Sequence, residues 1–212
     1  MSSAAPKKGR RSGEKQGNLF VISAPSGAGK SSLCRMLLKN VDKLKMSVSF
    51  TTRSRRKGER NKIDYSFISE RKFRGMIERS EFAEWAMVHG NLYGTSVKQI
   101  KELNNRGYDI ILDIDVQGAR QIKKKISDAI FIFILPPSMS VLKKRLTGRR
   151  TDSREQVAMR LGIAKKEISE YEGYDYVVIN KDLDIAYKQL ASIITSTRLK
   201  TSRFDDNIIK SF

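Results

Sequence analysis

Short, mainly apolar runs alternate with more polar stretches along most of the chain. The runs lie at residues 19–22, 108–114, 129–135 and 176–179, and AIFIFIL at 129–135 is the clearest of them. A continuous apolar run of about four to eight residues is typical of a strand buried on both faces. Because stretches of helical character separate these runs, the sequence predicts an α/β fold with a parallel sheet.

The predicted helices have recognisable ends. We expect them at residues 31–41, 97–106, 118–125, 138–146, 153–171 and 183–202. Ser153 and Gln156 fit the capping box, in which two side chains satisfy backbone groups at a helix start. Ser69 is expected to cap a further short helix that runs to about Glu78. Gly107 is expected to end the helix over 97–106.

The middle of the chain has a different character. Short strands are expected at 46–50 and 65–68, whereas 51–62 is too polar and charged to be core. This mixed stretch indicates a subdomain inserted into the core, and a length of 212 residues suits one sizeable core with such an insertion. Residues 1–17 offer almost nothing to bury, so a disordered basic tail is expected there.

The composition excludes several kinds of site. A single cysteine, Cys34, excludes an internal disulfide and a cysteine cluster for a metal, and a single histidine, His89, excludes any site that needs two. No uninterrupted apolar stretch approaches the roughly 20 residues that span a bilayer. The basic start has no apolar segment typical of a secretory signal. We therefore expect a cytoplasmic protein without a membrane partner.

The charge balance is strongly basic. Lys and Arg total 42 against 23 Asp and Glu, which gives a formal net charge of +19. Such an excess predicts an anionic partner. Basic clusters occupy residues 7–15, 53–62 and 143–150. The second and third lie within the predicted folded region, beside sequence features that suggest phosphate binding.

One loop carries the strongest chemical signal. The run SAPSGAGKSS follows the first predicted strand and opens the first predicted helix, which is the context of a phosphate-binding loop. Gly27 and Gly29 would let backbone N–H groups turn towards one anion. Lys30 would reach the outer phosphates, and the Ser31 hydroxyl could ligate Mg²⁺. Ala24 stands where the usual pattern has its first glycine, and a negative φ at that position would accommodate its methyl group. The loop predicts a nucleotide, although not which reaction.

Beyond this loop, the chain resembles the guanylate kinase family of P-loop nucleoside monophosphate kinases. The likeness covers roughly residues 18–200, with SFTTRSRRKGE at 49–59, EWA at 84–86, HGNLYGT at 89–95, ILDIDVQG at 111–118 and RLTGR at 145–149. The resemblance implies transfer of the terminal phosphoryl group of ATP to GMP, and to dGMP, with Mg²⁺, a step of guanine nucleotide metabolism. Asp113 and Asp115, two apart at a strand end, are expected to point the same way.

The resemblance also implies an architecture. We expect the P-loop nucleoside-monophosphate-kinase fold, an α/β fold whose parallel sheet core is flanked by helices and carries an inserted mixed α+β GMP-binding subdomain and a helical lid. The lid and the GMP-binding subdomain should close over the nucleotides to exclude water. The implied division is core at 18–48, 101–140 and 173–212, GMP-binding subdomain at 49–100 and lid at 141–172.

A GMP site follows from the same resemblance. Taken alone, Arg53 and Arg56 would suit a solvated basic loop, and Tyr65 and Tyr93 would suit core packing. In the family, two such arginines and two such tyrosines hold the phosphate, and Glu84 matches the carboxylate that accepts both guanine donors. AMP would leave that carboxylate without a partner. The implied GMP-binding residues are Ser49, Arg53, Arg56, Tyr65, Glu84, Tyr93, Gly94, Thr95 and Asp115.

The implied ATP site comprises Ala24, Pro25, Ser26, Gly27, Ala28, Gly29, Lys30, Ser31, Ser32 and Asn180. Ser31 and Asp113 are the implied magnesium ligands, Asp113 through water. The implied catalytic residues are all cationic: Lys30, Arg53, Arg145, Arg149 and Arg160. The chain departs from the family pattern at Arg55, Lys62 and Arg150, where proline, glycine and glycine are usual. His89 is expected to shape a loop rather than to act in catalysis.

Two other functions remain open at this point. Guanylate-kinase-like domains also occur as non-catalytic interaction modules, which typically lose the loop lysine or the nucleotide contacts that are present here. Nucleic-acid binding is suggested by the charge, although an aromatic-studded basic sheet is missing. The tail would bind polyanions weakly at most, so no specific nucleic-acid partner is expected. The sequence does not distinguish between a monomer and a homo-oligomer.

Overall fold

The structure is a computed structural model, and it describes residues 16–88, 90–148 and 153–201. The strands in chain order are β1 Leu19–Ser23, β2 Leu44–Met46, β3 Phe50–Thr51, β4 Ser66–Phe67, β5 Phe82–Val88, β6 Asn91–Ser96, β7 Asp109–Asp113, β8 Ile130–Leu135 and β9 Tyr176–Ile179. The helices are α1 Lys30–Asn40, α2 Glu70–Glu78, α3 Val97–Asn105, α4 Val116–Lys125, α5 Met139–Thr147, α6 Arg154–Ile168 and α7 Leu183–Arg198, with a 3-10 turn at Tyr171–Gly173.

A five-stranded parallel sheet in the order β2-β7-β1-β8-β9 forms the core. Every residue of the central strand β1 is buried, as expected for a strand covered on both faces. Apolar residues of α1 and α7 pack on one face of the sheet. Those of α3 and α4 pack on the other. The predicted parallel α/β core is therefore confirmed.

A second, four-stranded sheet in the order β4-β3-β6-β5 contains both parallel and antiparallel pairs. Helix α2 covers it through Phe73 and Met76, which pack against Phe82 and Leu92. This mixed unit corresponds to the predicted insertion. The hairpin of β5 and β6 was not anticipated from the sequence pattern.

The single strand predicted at 46–50 was wrong, because the chain changes sheets within it. The backbone N–H of Ser47 still donates to Ile111 in the core sheet. Two residues later, the carbonyl of Ser49 accepts from Ser66 in the mixed sheet. The stretch thus supplies the end of β2 and the start of β3, which belong to different sheets.

Helices α5 and α6 pack together through Leu142, Leu146, Val157 and Ala164. The predicted capping box at the start of α6 is present, with Ser153 and Gln156 each accepting from the other's backbone N–H. Helix α6 ends at Ile168 rather than near residue 171, and the 3-10 turn follows it. Helix α7 likewise ends a few residues before the predicted position.

Near the start of the described chain, the carbonyl of Gly17 accepts a hydrogen bond from the side chain of Asn104. The next residue, Asn18, bonds the buried Asp109 carboxylate through its backbone and its side chain. Arg198 pairs with the same carboxylate at 2.7 Å, so one acid joins the start of the described chain, β7 and the end of α7. The predicted tail lies almost entirely outside the described residues. No helix within the described ranges has the length and apolar character needed to cross a membrane.

Candidate active site

The loop between β1 and α1 has the backbone geometry that phosphate binding requires. Gly27 and Gly29 have φ values of 93° and 97°, in the left-handed region that favours glycine. Ala24 has a negative φ, so its methyl group is accommodated as predicted. Gly29 is the N-cap of α1 and supplies no side-chain cap, which leaves the helix's first N–H groups to face an anion.

Two side chains donate hydrogen bonds to the backbone of this loop. The buried Asn180, directly after β9, donates a hydrogen bond of 2.7 Å to the carbonyl of Ala28. Arg145 of α5 donates to the same carbonyl at 3.3 Å and to the carbonyl of Asn180 at 3.0 Å. A Cβ at Gly29 would lie 2.2 Å from the Asn180 amide nitrogen, so the close approach itself requires glycine. Asn180, a predicted ATP-site residue, and Arg145, a predicted catalytic residue, therefore support the loop's shape.

Lys30 extends from the first turn of α1 towards the end of β7. Its ammonium lies 2.6 Å from Asp113 and donates to the carbonyl of Ile114 at 3.0 Å. Burial alone would lower the pKa of Lys30, but the charge and hydrogen bond of Asp113 outweigh burial and raise the pKa. The lysine is therefore a fixed cation at the mouth of the phosphate loop.

Arg53 occupies the facing side of the site, on the chain after β3. It makes a two-point ion pair with Glu59, with a shortest distance of 2.7 Å. The guanidinium carbon lies 5.4 Å from the ring centroid of Tyr65, and the Tyr93 hydroxyl is a polar neighbour. The two tyrosine rings are 5.9 Å apart. The structure thus brings three of the four predicted phosphate contacts together, whereas Arg56 is exposed on the adjacent turn.

Tyr65 connects this cluster with the phosphate loop. Burial raises the pKa of Tyr65, Asp113 raises it further, and the cations Lys30 and Arg53 lower it. The phenol is therefore within electrostatic range of both cations. Two positive side chains from separate parts of the chain, Lys30 and Arg53, therefore both act on Tyr65, and we refer to the space around Tyr65 as the cleft.

A buried carboxylate lies deeper in the mixed sheet. Glu84 of β5 is 3% exposed and accepts a 2.5 Å hydrogen bond from the Thr95 hydroxyl of β6. Burial raises the pKa of Glu84 to about 7, a shift that the Thr95 bond opposes and the charge of Asp115 reinforces. Gly118 of α4 leaves the space for this side chain, because a Cβ there would lie 2.5 Å from Glu84 Oε2.

The two aspartates at the end of β7 take different positions. Asp113 ends the strand and pairs with Lys30, as described above. Asp115 is instead the N-cap of α4, and its carboxylate accepts from the backbone N–H of Gly118 at 2.9 Å and from Gln117 at 3.1 Å. The expectation that both side chains point the same way from one strand was drawn from strand alternation, which does not extend to Asp115.

Several predicted residues have a plainer setting. Ser49 and Gly94 belong to the mixed sheet, where a Cβ at Gly94 would meet the Phe82 ring at 2.9 Å. Ser31 is exposed on the first turn of α1. Arg160 is half-buried on α6. The predictions for Arg149, Arg150 and His89 concern positions outside the described residues.

The structure also shows residues that the sequence argument missed. Glu59 pairs with Arg53; in the sequence it ends the family-like run at 49–59, and no role was predicted for it. Glu167 of α6 has its pKa raised to about 7 by burial, with Lys30 lowering it and Asp115 raising it, so it lies within electrostatic range of both. Lys62, which stands where a turn glycine is usual, adopts a φ of 63°. That departure keeps the glycine-like backbone and adds a charge.

The oxygen donors near the loop suit magnesium. Mg²⁺ prefers hard oxygen ligands and commonly keeps several waters, so one or two protein donors beside nucleotide phosphates are sufficient. The Ser31 hydroxyl and the Asp113 carboxylate are such donors, on neighbours of Lys30 in sequence and in space. The residues present therefore fit this ion.

Comparison with known proteins agrees with this geometry. The family model described as guanylate kinase matches residues 16–197. A protein named guanylate kinase from Shewanella violacea is 53% identical over 87% of this chain and 89% of its own length. One of the same name from Syntrophotalea carbinolica is 48% identical over 90% of both chains. The crystal structure of guanylate kinase from Anaplasma phagocytophilum superposes with a TM-score of 0.75, at 32% identity over 90% of both chains. On the matched length, the identities and the shared fold, this chain belongs to the guanylate kinase family.

Proposed function

We propose that the protein transfers the terminal phosphoryl group of ATP to GMP, which yields ADP and GDP. Membership of the guanylate kinase family supports this reaction. The single observation that carries it is that Tyr65 lies against Arg53 and within electrostatic range of Lys30 and Asp113. A donor phosphate on the loop and an acceptor phosphate on Arg53 would meet in that cleft.

The chemistry asks little of the protein beyond position and charge. In phosphoryl transfer, catalysis is mostly alignment of two anions and neutralisation of the charge that develops between them. Lys30 supplies a partly buried cation at the donor side, and Arg53 supplies one at the acceptor side. When phosphates bind, we expect Lys30 to exchange part of its pairing with Asp113 for phosphate oxygens.

The buried carboxylate accounts for the choice of base. Guanine presents a ring N–H and an amino group side by side, and the Glu84 carboxylate can accept both. Adenine offers an acceptor at that edge, which would leave a buried acid without a partner. The Thr95 hydroxyl holds one carboxylate oxygen, so the orientation of the acid is fixed before the base arrives.

We assign the remaining roles as the family likeness implies. Ser31 and Asp113 would hold Mg²⁺, which supplies further neutralisation of the phosphate charge. Arg145, Arg149 and Arg160 would contribute positive charge from the lid, which we place at 141–172, opposite a GMP-binding subdomain at 49–100. We propose dGMP as a second acceptor and the cytoplasm as the site of reaction, since both nucleotide substrates are found there. The GMP contacts proposed are Ser49, Arg53, Arg56, Tyr65, Glu84, Tyr93, Gly94, Thr95 and Asp115.

The test is ADP release measured by a coupled assay with ATP, Mg²⁺ and one acceptor at a time. We expect turnover with GMP and dGMP, and little with AMP, CMP or UMP. The substitution Lys30→Ala should lower kcat/KM by about a thousandfold, because it removes a partly buried cation proposed to contact the transferring group. An absence of GMP-dependent ADP release from the folded protein would refute the proposal and favour a non-catalytic module.

A matched control lies on the same helix. Lys39 is an exposed lysine in the last turn of α1, away from the loop. Lys39→Ala removes the same charge and should leave kcat/KM within about twofold of the parent value, since exposed charges contribute little at a distance. Equal losses in both variants would point to a general effect of net charge.

A further inference from the structure

The Arg53 guanidinium is held on one end by acceptors from its own loop. Its two terminal nitrogens, Nη1 and Nη2, donate to the Glu59 carboxylate at 3.0 and 2.7 Å. Nη1 also donates to the carbonyl of Ser54 at 2.8 Å. These charge-assisted bonds occupy the end of the guanidinium that lies farthest from its own side-chain stem.

The contacts to Glu59 and Ser54 leave one edge of the group for other partners. A guanidinium carries five N–H donors in a planar fork, and the contacts to Glu59 and Ser54 use three of them. The remaining two are the Nε–H and the second hydrogen of Nη2, which lie side by side along one edge. Among the described residues, the further polar neighbour of this group is the Tyr93 hydroxyl. A parallel pair of donors along one edge matches two phosphate oxygens.

Aromatic rings restrict the group in the perpendicular direction. The guanidinium carbon lies 5.4 Å from the ring centroid of Tyr65 and 5.7 Å from that of Phe67. Cation–π attraction of this kind favours one orientation of the plane. Tyr65 itself lies within electrostatic range of Lys30, so it is a common neighbour of Arg53 and of the lysine of the phosphate loop.

Glu59 is fixed to the loop independently of Arg53. Its carboxylate also accepts from the backbone N–H of Arg56 at 2.7 Å, and its own N–H donates to the carbonyl of Arg56 at 3.2 Å. Gly58, with a φ of 89°, allows the tight turn that brings the acid back. The hydrogen bond from Arg53 lowers the pKa of Glu59, so the acid stays ionised near neutral pH. An acid fixed in this way acts as a support for the arginine.

We propose that Glu59 is a positioning residue, which fixes Arg53 so that its Nε–Nη2 edge meets the phosphate of the acceptor nucleotide. The inference rests on the proposed function for the identity of that acceptor as GMP. Its energetic basis is preorganisation: a long side chain that is already ordered loses less entropy when the phosphate binds. The alternative arrangement is competition, in which the Glu59 carboxylate must leave Arg53 before a phosphate can bind.

The test compares GMP with guanosine, which has the same base and lacks the phosphate. Dissociation constants for both are measured by calorimetry or competition on the parent protein and on Glu59→Gln. We expect the dissociation constant for GMP to rise about five- to tenfold and that for guanosine to stay the same. The KM for GMP should rise similarly, with the KM for ATP unchanged. The double variant Arg53→Lys/Glu59→Gln should bind GMP with the same dissociation constant as Arg53→Lys alone, since Glu59 acts through Arg53.

Glu70→Gln is the matched control. Glu70 also pairs with an arginine, Arg74, at 2.6 Å in the same subdomain, but both side chains are exposed. This variant should leave both dissociation constants unchanged. If Glu59→Gln does not fold, as judged by circular dichroism, Glu59→Asp replaces it: the acid is kept but is one methylene shorter, and the same loss for GMP alone is expected.

The outcomes separate the ideas. Unchanged GMP binding by Glu59→Gln would overturn the proposal. Tighter GMP binding would also overturn it and would favour competition between Glu59 and the phosphate. Equal weakening of GMP and guanosine would also overturn it, since that would indicate a general collapse of the loop. If the parent protein binds GMP but does not phosphorylate it, the proposed function fails while the binding comparison still decides the role of Glu59.

Discussion

At the scale of single residues, Glu84 combines burial with charge. The carboxyl is almost fully enclosed and has the Thr95 hydroxyl as its close donor. Burial raises its pKa to about 7, so at mildly acidic pH the group carries a proton before any base binds. Guanine needs the ionised form, because both of its donors at that edge require acceptors. Protonation of Glu84 and binding of guanine are therefore linked.

This linkage predicts how affinity depends on pH. Below about pH 7 the affinity for guanosine should fall by about tenfold for each pH unit, and above it the affinity should level off. Guanosine is the appropriate ligand because a nucleotide phosphate titrates in the same range. Calorimetry in buffers of different ionisation enthalpy should show a proton released on binding near pH 6. A flat affinity between pH 5.5 and 8 would contradict the assigned role of Glu84.

The same group predicts a trend in stability. Because the folded pKa is raised from 4.5 to about 7, the folded state holds a proton that the unfolded state has lost between those values. The free energy of unfolding should therefore fall as pH rises through this window. Glu84→Gln should remove roughly 1–3 kcal/mol of that fall, measured by urea unfolding at pH 5 and pH 8. Glu167 has a pKa raised in the same direction, so the quantity to compare is the difference between variant and parent.

Gly118 offers a test that leaves every ionisable group in place. A Cβ there would lie 2.5 Å from Glu84 Oε2, so Gly118→Ala should displace the carboxylate. We expect the KM for GMP to rise roughly tenfold or more while the KM for ATP stays the same, since small displacements of a binding group are costly. Gly162→Ala on α6 is the control, because a Cβ there meets nothing within 4 Å. Equal KM values for GMP in both variants would show that Gly118 does not shape this pocket.

At the scale of elements, the sequence pattern predicted those parts whose stability is local or fully buried. The apolar runs of β1, β7, β8 and β9 identified four of the five core strands, and Ser153 with Gln156 identified the start of α6. The hairpin of β5 and β6 escaped because its alternation is interrupted: buried Glu84 stands beside Trp85, which is 39% exposed. Its pairing is long-range, and a single-sequence pattern does not carry register between distant strands.

The candidate site shows the same division. The phosphate loop was predictable because its glycines, its lysine and the flanking elements are consecutive in sequence. The pocket residues Arg53 and Glu84 required the family likeness, since neither is distinguishable alone from a surface charge. The pairing of Arg53 with Glu59 and the fit of Glu84 against Gly118 are properties of packing. They became visible only when the elements were placed in three dimensions.

The support of the phosphate loop by the end of β9 yields a prediction at this scale. Asn180→Ala removes the 2.7 Å bond to the Ala28 carbonyl, which leaves a buried acceptor with less support. We expect a loss of about 1–2 kcal/mol in the free energy of unfolding and a several-fold rise in the KM for ATP, with the KM for GMP little changed. Asn40→Ala is the control, because Asn40 makes a similar bond of 3.0 Å to Met36 on an exposed helix end. A rise in both KM values would assign Asn180 to general stability.

At the scale of the whole molecule, α4 is bonded to both units that are proposed to move. Gln121 exchanges two hydrogen bonds with the backbone of Trp85 in β5, at 2.6 and 3.2 Å. On the other side, Arg120 donates to Glu170 at 3.0 Å, and Lys123 donates to the carbonyl of Gly173 at 2.6 Å. One core helix therefore contacts both the mixed sheet and the segment that follows α6. We expect the rest of the proposed GMP-binding subdomain and the rest of the proposed lid to move when the site closes.

Closure can be measured with cysteine-directed labels, because the native cysteine is not expected to react with them. Cys34 is fully buried, and burial raises the pKa of its thiol, so labelling reagents should react only with introduced cysteines. Spin or fluorescent labels at Arg71→Cys on α2 and Met159→Cys on α6 report the separation of the two units, both positions being exposed. We expect the distance to shorten when GMP and a non-hydrolysable ATP analogue are added together, because enclosure excludes water from the transferring group. Labels at Lys101→Cys on α3 and Lys188→Cys on α7, two exposed positions on helices that pack on the core sheet, should keep their separation. If the first pair also keeps its separation with both nucleotides bound, the units form one rigid body, and protection of ATP from hydrolysis must arise from positioning in the cleft alone.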